Sequence, residues 1–182
     1  MPTRRTWRGL VRDFQAAPQE IQEYFEHFPK LAEDFPWEVA LSYMFGRVEL
    51  AHNMAIYCGA VKLHRTERTV TRIAVQGRHM TRDGFKKLFH TIHGEDVPAE
   101  IAKKLEDAEA VRDKVMHGKA ATQEEQRRAI TDVLQDAKEL NDFIDEQSGF
   151  RPFNNLRGFK GRAKALDKET TRWVLKGMGF SL

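Results

Sequence analysis

Apolar residues recur at three- and four-residue steps along most of the chain, which is the period of an amphipathic α-helix. Pro18 stands at the first turn of one such run, which predicts a helix from Pro18 to about Phe35. A nearly unbroken run from Pro36 to His64 keeps one apolar face and predicts the central long helix. The apolar positions behind the two predictions are Ile21, Tyr24, Phe25, Phe28 and Leu31, then Trp37, Ala40, Leu41, Met44, Val48, Ala51, Ala55 and Cys58.

The stretch from 65 to 80 has no clear period. Its β-branched residues and Gly77 fit a loop, a short strand pair or a frayed extension of the long helix, and these alternatives stay open. A short helix is predicted to begin at Thr81 or Arg82 and to stop at Gly94.

Two further helices are predicted around Gly118. Pro98 opens the first, which keeps its apolar spacing up to Gly118. Thr122 and Glu125 form a capping box that begins the second, and the two helices make a hairpin. The C-terminal stretch is expected to hold one short helix, Ala163 to Lys176, which docks by its aromatic residues. These elements predict an all-α protein.

The charge of the chain is unevenly distributed. With 182 residues and 41% hydrophobic residues, the chain is long enough for one domain with a substantial core. Four arginines against one aspartate lie in residues 1 to 13, and eight lysines and arginines against two acidic residues lie in 149 to 182. We therefore expect a basic N-terminal segment (1–17), a helical bundle (18–148) and a basic C-terminal extension (149–182). Basic ends favour a polyanionic partner, RNA above all, although tails that are merely solvated explain them as well.

The compartment is predicted to be reducing. Cys58, the single cysteine, excludes an internal disulfide and sits in an apolar helical pattern, which predicts a buried, inert thiol. The sequence has no apolar run of membrane-spanning length and no secretory signal pattern, so we expect a cytoplasmic protein without a membrane partner.

Three chemically versatile residues close the helix that precedes Gly118. A histidine at a helix C-terminus, here His117, is favoured in its protonated form. Asp113 lies four residues earlier, on the same helical face, where a carboxylate orients an imidazole. Arg112 lies about 140° away from His117 around the helix axis. Two copies of the helix packed across a symmetry axis would bring Arg112 and His117 together.

An arginine and a histidine in one cleft suit phosphodiester chemistry. The imidazole acts as general acid or base for attack by an RNA 2′-hydroxyl, and the guanidinium holds the phosphate. Neither role requires a metal or a cofactor. Arg47 and His52 repeat the same spacing, but nothing ends the helix there, so we assign them to structure. His90 and His93 lack further ligands and are interpreted as surface and edge residues.

The stretch "RDKVMHG", residues 112 to 118, resembles the signature of the HEPN superfamily, written R-x4-6-H, and the resemblance extends over about 98 to 147. It implies an all-α, up-and-down helical bundle of HEPN type with basic terminal extensions, and a dimer that forms along the motif helices. In active members the composite cleft is a metal-independent endoribonuclease site, often in toxins and defence effectors. The resemblance makes Arg112 and His117 catalytic and Asp113 the residue that orients them. Lys119 stands where one subfamily has a modified tyrosine, which argues against that mode of control.

The partners expected from this reading are RNA, a second copy of the chain, and a cognate antitoxin or other partner protein. Trp7 and Phe159 interleave with basic residues as aromatic residues do in single-strand binders, although tail docking explains them equally well. The residues expected to bind or steer RNA are Lys114, Lys119, Arg4, Arg5, Arg8, Lys160 and Arg162.

Two alternatives stay open. One is a non-catalytic HEPN domain that binds RNA, a nucleotide or a partner protein. The other is a structural helical protein in which the motif match is accidental, Arg112 is solvated and His117 is a helix-capping residue.

Overall fold

The computed structural model describes residues 7–156, 159–161 and 164–182, and these residues form nine helices and no strand. The predicted all-α class is confirmed. Across the described ranges, no helix has both the length and the apolar character needed to cross a membrane. The helices are α1 (Trp7–Gln15), α2 (Gln19–Tyr24), α3 (Phe28–Asp34), α4 (Trp37–Leu63), α5 (Arg68–Gln76), α6 (Arg82–His93), α7 (Ala99–Met116), α8 (Gln123–Ser148) and α9 (Lys168–Gly177).

The chain divides into two compact units, and α4 and α8 each contribute residues to both. The division of the sequence into 1–17, 18–148 and 149–182 is not tested by these units and stays a prediction. The first unit combines the described chain before Glu49 with Pro98–Asp142 and Phe153–Asn155, and the second combines Glu49–Val97, Phe143–Pro152 and the described chain from Leu156.

Phe153 completes the aromatic core of the first unit. Its buried ring lies 5.3 Å from the ring of Tyr24 and 6.1 Å from that of Phe25. The side chain of buried Asn141 donates to the Phe153 carbonyl at 3.2 Å and accepts from the Phe153 amide at 2.8 Å. Because an unpaired buried backbone group is costly, this pair of bonds lets the segment enter the core.

In the second unit, α6 lies close along the last part of α4. The rings of His52 and Phe85 stack 3.8 Å apart, and burial lowers the pKa of His52 to about 3, so this histidine is a neutral core residue. A Cβ added to Gly59 would lie 2.6 Å from Nε2 of His93, so glycine is needed for this close approach. Cys58 is buried as predicted, and its burial raises the pKa of the thiol to about 12.

The helix predicted from Pro18 to Phe35 is wrong as one element, because the structure has α2 and α3 in its place. Pro29 lies in the first turn of α3. Proline has no amide hydrogen and clashes with the carbonyl four residues earlier, here that of Phe25, so a continuous helix would be broken at this point.

The N-terminal segment is structured from Trp7 onward, which the basic composition did not predict. In α1, Leu10 and Phe14 are buried, and the ring of Phe14 lies 5.2 Å from that of Phe28 in α3. The described part of this segment therefore belongs to the folded body of the first unit.

The uncertain stretch from 65 to 80 contains a separate helix, α5. The carboxylate of Glu67 accepts hydrogen bonds from the backbone amides of Thr69 and Val70 at 3.0 and 2.9 Å and so caps its N-terminus. Val70, Ala74 and Val75 form the buried face. The apolar face, rather than the β propensity of single residues, decides the form of this segment.

The C-terminal helix begins later than expected. Asp167 accepts from the amides of Glu169 and Thr170 and so starts α9 at Lys168, while Ala163 lies outside the described residues. The prediction that this helix docks by its aromatic residues is wrong for Trp173. The Trp173 side chain is 69% exposed, and α9 buries Leu175 instead.

Asp136 on α8 is a buried carboxyl group in the first unit. The residue is 1% exposed, and its Oδ2 has no hydrogen-bond partner in the described chain. Burial, followed by the charge of Glu139, raises the pKa of Asp136 to about 8, against a smaller opposing effect of Lys104. Asp136 is therefore mostly protonated in the folded protein at neutral pH.

We expect Asp136→Asn to remove a pH-dependent loss of stability. As the pH rises from about 4 to about 8, the unfolded chain releases the Asp136 proton while the folded chain keeps it. The wild type should lose up to about 1.4 kcal/mol of unfolding free energy per pH unit relative to the variant. Urea denaturation at pH 5 and pH 7 measures this difference, with Asp83→Asn on the surface as the control. The same pH dependence in wild type and Asp136→Asn would contradict the assignment.

Candidate functional site

The C-terminus of α7 ends in a Schellman motif. The amide of Lys119 donates to the carbonyl of Lys114 at 2.8 Å, and the amide of Gly118 donates to that of Val115 at 3.0 Å. Gly118 has a φ of 69°, in the left-handed region that favours glycine. The predicted end of the helix at this glycine is confirmed.

His117 is the capping residue of α7, and its side chain is exposed. Its backbone amide donates to the Asp113 carbonyl at 3.0 Å. In the described chain its ring makes no hydrogen bond, ion pair or ring contact. The imidazole therefore faces solvent at the negative end of the helix dipole, where it can meet a ligand or a second protein chain.

Arg112 is held in place by neighbours that include two carboxylates and an aromatic ring. Its Nε and Nη2 donate to Oδ1 of Asp113 at 3.0 and 2.8 Å, and Nη2 also donates to Oε1 of Glu109 at 3.0 Å. The guanidinium carbon lies 4.8 Å from the ring centre of Phe45 on α4. With 23% of its side chain exposed, Arg112 is fixed rather than solvated.

Within one chain, Asp113 contacts Arg112 and makes no hydrogen bond to His117 in the described residues. Its carboxylate is 51% exposed and accepts both bonds on Oδ1. In the described chain Asp113 therefore holds Arg112, and its predicted orienting role at a catalytic site stays a prediction. Arg112 and His117 do not contact each other in the single chain, in agreement with their angular separation on the helix.

Lys114, predicted to steer RNA, is paired across the hairpin. Its Nζ donates to Oε1 of Glu125 at 2.8 Å. Glu125 also accepts from the Thr122 amide at 2.8 Å, while its own amide donates to Thr122 Oγ1 at 3.1 Å, which confirms the capping box. The bond from Lys114 and the bonds with Thr122 lower the pKa of Glu125 to about 2. RNA would have to compete with this pair for Lys114.

Among the other residues expected to bind RNA, Lys119, Arg8 and Lys160 are exposed. Arg4, Arg5 and Arg162 lie outside the described residues.

An apolar surface flanks the end of α7. The side chains of Met116 and Val39 are exposed, Met116 by 63%. The Ser42 hydroxyl, one turn after Val39 on α4, lies 3.6 Å from the sulfur of Met116, so Met116 lies beside the side of α4 that carries Val39. We call Val39 and Met116 the Met116 patch.

The remaining candidate residues have structural roles. Arg47 donates from Nε to the Tyr24 carbonyl at 3.0 Å and stacks over the Tyr24 ring at 4.0 Å. The expectation that His93 is a surface or edge residue is wrong. Its ring stacks on that of Phe89 at 4.1 Å, and its Nδ1 lies 3.0 Å from Ser148 Oγ. The described ranges contain no group of three or more His, Cys, Asp or Glu side chains placed to hold a metal ion.

Two residues that hold Arg112 were missed in the sequence. Glu109 precedes Arg112 by three residues, a spacing at which side chains on a helix meet, so the sequence could have indicated this contact. Phe45 contacts Arg112 only through the packing of α4 against α7, and no local pattern indicates that contact.

Comparison of the chain with protein-family models, with curated proteins and with solved structures found no match. The chemistry available at the end of α7 is that of an exposed imidazole and a positioned guanidinium. An imidazole can act as a general acid or base, and a guanidinium can bind oxyanions.

Arg112 and His117 should differ in their effect on stability. Arg112→Ala removes the contact with Phe45 and the hydrogen bonds to Asp113 and Glu109, so we expect a loss of about 1 to 2 kcal/mol in unfolding free energy. His117→Ala removes an exposed ring and should change it by less than about 0.5 kcal/mol. Urea denaturation compares them, and an equal loss for the two variants would show that the contacts of Arg112 contribute little.

Proposed function

We propose that this protein is a metal-independent endoribonuclease of the HEPN type, working as a homodimer in which Arg112 and His117 of two copies share a cleft. The observation that carries the proposal is the contrast at the end of α7. Arg112 is fixed by Asp113, Glu109 and Phe45, whereas the His117 ring is exposed and without a partner in the described chain. A fixed oxyanion binder beside a solvent-facing acid or base suits phosphodiester cleavage.

In the proposed reaction, a neutral His117 accepts the proton of an RNA 2′-hydroxyl as its oxygen attacks phosphorus. A protonated His117 from the second copy donates a proton to the departing 5′-oxygen, which leaves a 2′,3′-cyclic phosphate. Arg112 binds the phosphate through parallel N–H donors and stabilises the charge that develops on it. Asp113 and Glu109 orient Arg112, and the phosphate competes with them for it.

The Met116 patch supports dimerisation next to His117. Exposed Met116 and Val39 side chains are better covered than solvated, because each buried square ångström of apolar surface stabilises association by about 25 cal/mol. A second copy that covers this patch would bring its own α7 close to the first.

A toxin or defence role in the cytoplasm forms part of the same proposal. Unrestrained RNA cleavage harms the cell that contains it, so expression of the wild type should slow host growth. A cognate inhibitor would then act by covering His117 or by preventing dimerisation.

The second candidate is a non-catalytic HEPN domain that binds RNA, a nucleotide or a partner protein. The observation that favours it is the pairing of Arg112 with two carboxylates, which offsets its positive charge. A domain of this kind would bind its ligand without cleaving it.

We expect the purified protein to cleave structured RNA in EDTA and His117→Ala to lower the rate by at least about 100-fold, the usual contribution of general acid–base catalysis. Arg112→Lys keeps a positive charge but loses the paired donors, so it should also be strongly impaired. His79→Ala, at another exposed histidine, is the matched control and should cleave normally. Absence of cleavage by the wild type would exclude the nuclease, and retained RNA binding would then support the second candidate.

We expect Met116→Glu to convert the dimer to a monomer, because the new charge would lie in the apolar contact. Sedimentation velocity measures the change, and RNA cleavage should fall with the dimer fraction. The control is Leu50→Glu, at an exposed apolar position on α4 outside the Met116 patch, and it should leave the dimer intact. A monomeric wild type that cleaves RNA would contradict the composite cleft.

A further inference from the structure

In the second unit, α5 and α9 pack against each other, and two hydrogen bonds join the chain near their N-terminal ends. The amide of Glu67 donates to Thr171 Oγ1 at 2.9 Å, and the amide of Leu166 donates to the Arg65 carbonyl at 2.8 Å. The side chains that the two helices expose are therefore held in a fixed arrangement.

The exposed surface of this helix pair carries rows of like charge. Lys168, Arg172 and Lys176 follow one another at four-residue steps on α9, and Arg68 and Arg72 do the same on α5. Like charges at this spacing repel each other and destabilise a helix. Helix stability therefore does not account for the rows.

None of these five cations forms an ion pair with a carboxylate in the described chain. Glu67 and Asp167, the acidic residues that begin the two helices, accept from backbone amides as N-caps. Arg68 donates to the Phe159 carbonyl, which leaves its charge uncompensated. The cations of α7 and α8 differ, since they form the pairs Lys103–Asp107, Lys104–Glu139, Lys114–Glu125, Arg127–Glu124, Arg128–Asp132 and Lys138–Asp142.

Trp173 stands among these cations on α9. Its side chain is 69% exposed, and the Lys176 ammonium lies 5.7 Å from the centre of its ring. An exposed indole beside unpaired cations is the combination that single-stranded nucleic acids require, because bases stack on aromatic faces while cations hold the backbone.

We propose that the exposed face formed by Arg68, Arg72, Lys168, Arg172, Lys176 and Trp173, here called the α5–α9 face, binds single-stranded RNA. Trp173 stacks on a base, and the cations contact the neighbouring phosphates. The choice of RNA as the polyanion rests on the proposed function, whereas the surface itself does not depend on cleavage.

The composition of the α5–α9 face favours RNA over an anionic membrane. A membrane-surface helix needs a continuous apolar side to insert. The apolar sides of α5 and α9 are buried in their own unit, and only Ile73 and Trp173 remain as exposed large apolar residues of these two helices.

The test is fluorescence anisotropy of a labelled single-stranded RNA of about 12 nucleotides. It is made in EDTA with the full chain carrying His117→Ala, so that binding is measured without cleavage. We expect Arg72→Ala with Arg172→Ala to weaken binding at least about tenfold and to reduce the slope of log K against log salt by about 1.4. The control, Lys103→Ala with Lys138→Ala, removes equal charge from paired cations and should change affinity less than about twofold.

Trp173 gives a second readout. Trp173→Ala should weaken RNA binding by about fivefold or more, and Trp173→Phe should restore most of the loss, because a phenyl ring still stacks. All of the substituted side chains are exposed, and circular dichroism checks that the variants fold.

The inference and the proposed function fail separately. If the wild type does not cleave RNA but the binding losses occur as stated, the α5–α9 face stands and the nuclease is excluded. Absence of RNA binding would overturn the inference, as would binding that is indifferent to Arg72, Arg172 and Trp173. Binding to phosphatidylserine vesicles but not to RNA would overturn it in favour of a membrane surface.

Discussion

Burial of α4 is the constraint on which the rest of the structure depends. Leu41, Met44 and Ile56 on this helix are fully buried, and a helix with so long an apolar face is stable in water only when other elements cover that face. In the first unit the cover includes α7, and the contact of Arg112 with Phe45 is part of it. In the second unit α6 provides it, with Gly59 allowing the close approach of His93. The arginine of the candidate site is therefore positioned by the core.

The two units treat charge differently. On α7 and α8, acidic and basic residues stand at helical spacing or face each other across the hairpin, so most charges are compensated locally. On α5 and α9 the acidic residues Glu67 and Asp167 serve the helix ends instead. Neither carboxylate forms an ion pair in the described chain, whereas Glu125 on α8 both caps its helix and pairs with Lys114. The surface beside Glu67 and Asp167 therefore keeps more of its positive charge than the surface of the hairpin.

Helix ends that depend only on a few neighbouring residues were predictable from the sequence. Thr81 caps α6, Gly94 ends it with a φ of 81°, and Gly118 ends α7 in the same way. The break at Pro29 had a local signal that the continuing apolar period concealed. Features settled by tertiary packing were not predictable. The side that α9 buries, and hence the exposure of Trp173, depends on where α5 lies. At the candidate site, Asp113 was assigned to His117 by spacing, but the adjacent guanidinium of Arg112 offers it two hydrogen bonds.

The burial of Cys58 gives this protein an internal reporter of its own motions. It is the single cysteine of the chain, it is buried within α4, and its raised pKa keeps it a thiol rather than a reactive thiolate at neutral pH. An alkylating reagent can reach it only when the second unit opens around α4. The rate at which the thiol reacts then reports either the rate or the population of that opening. Local opening of the core can thus be measured without introducing a label.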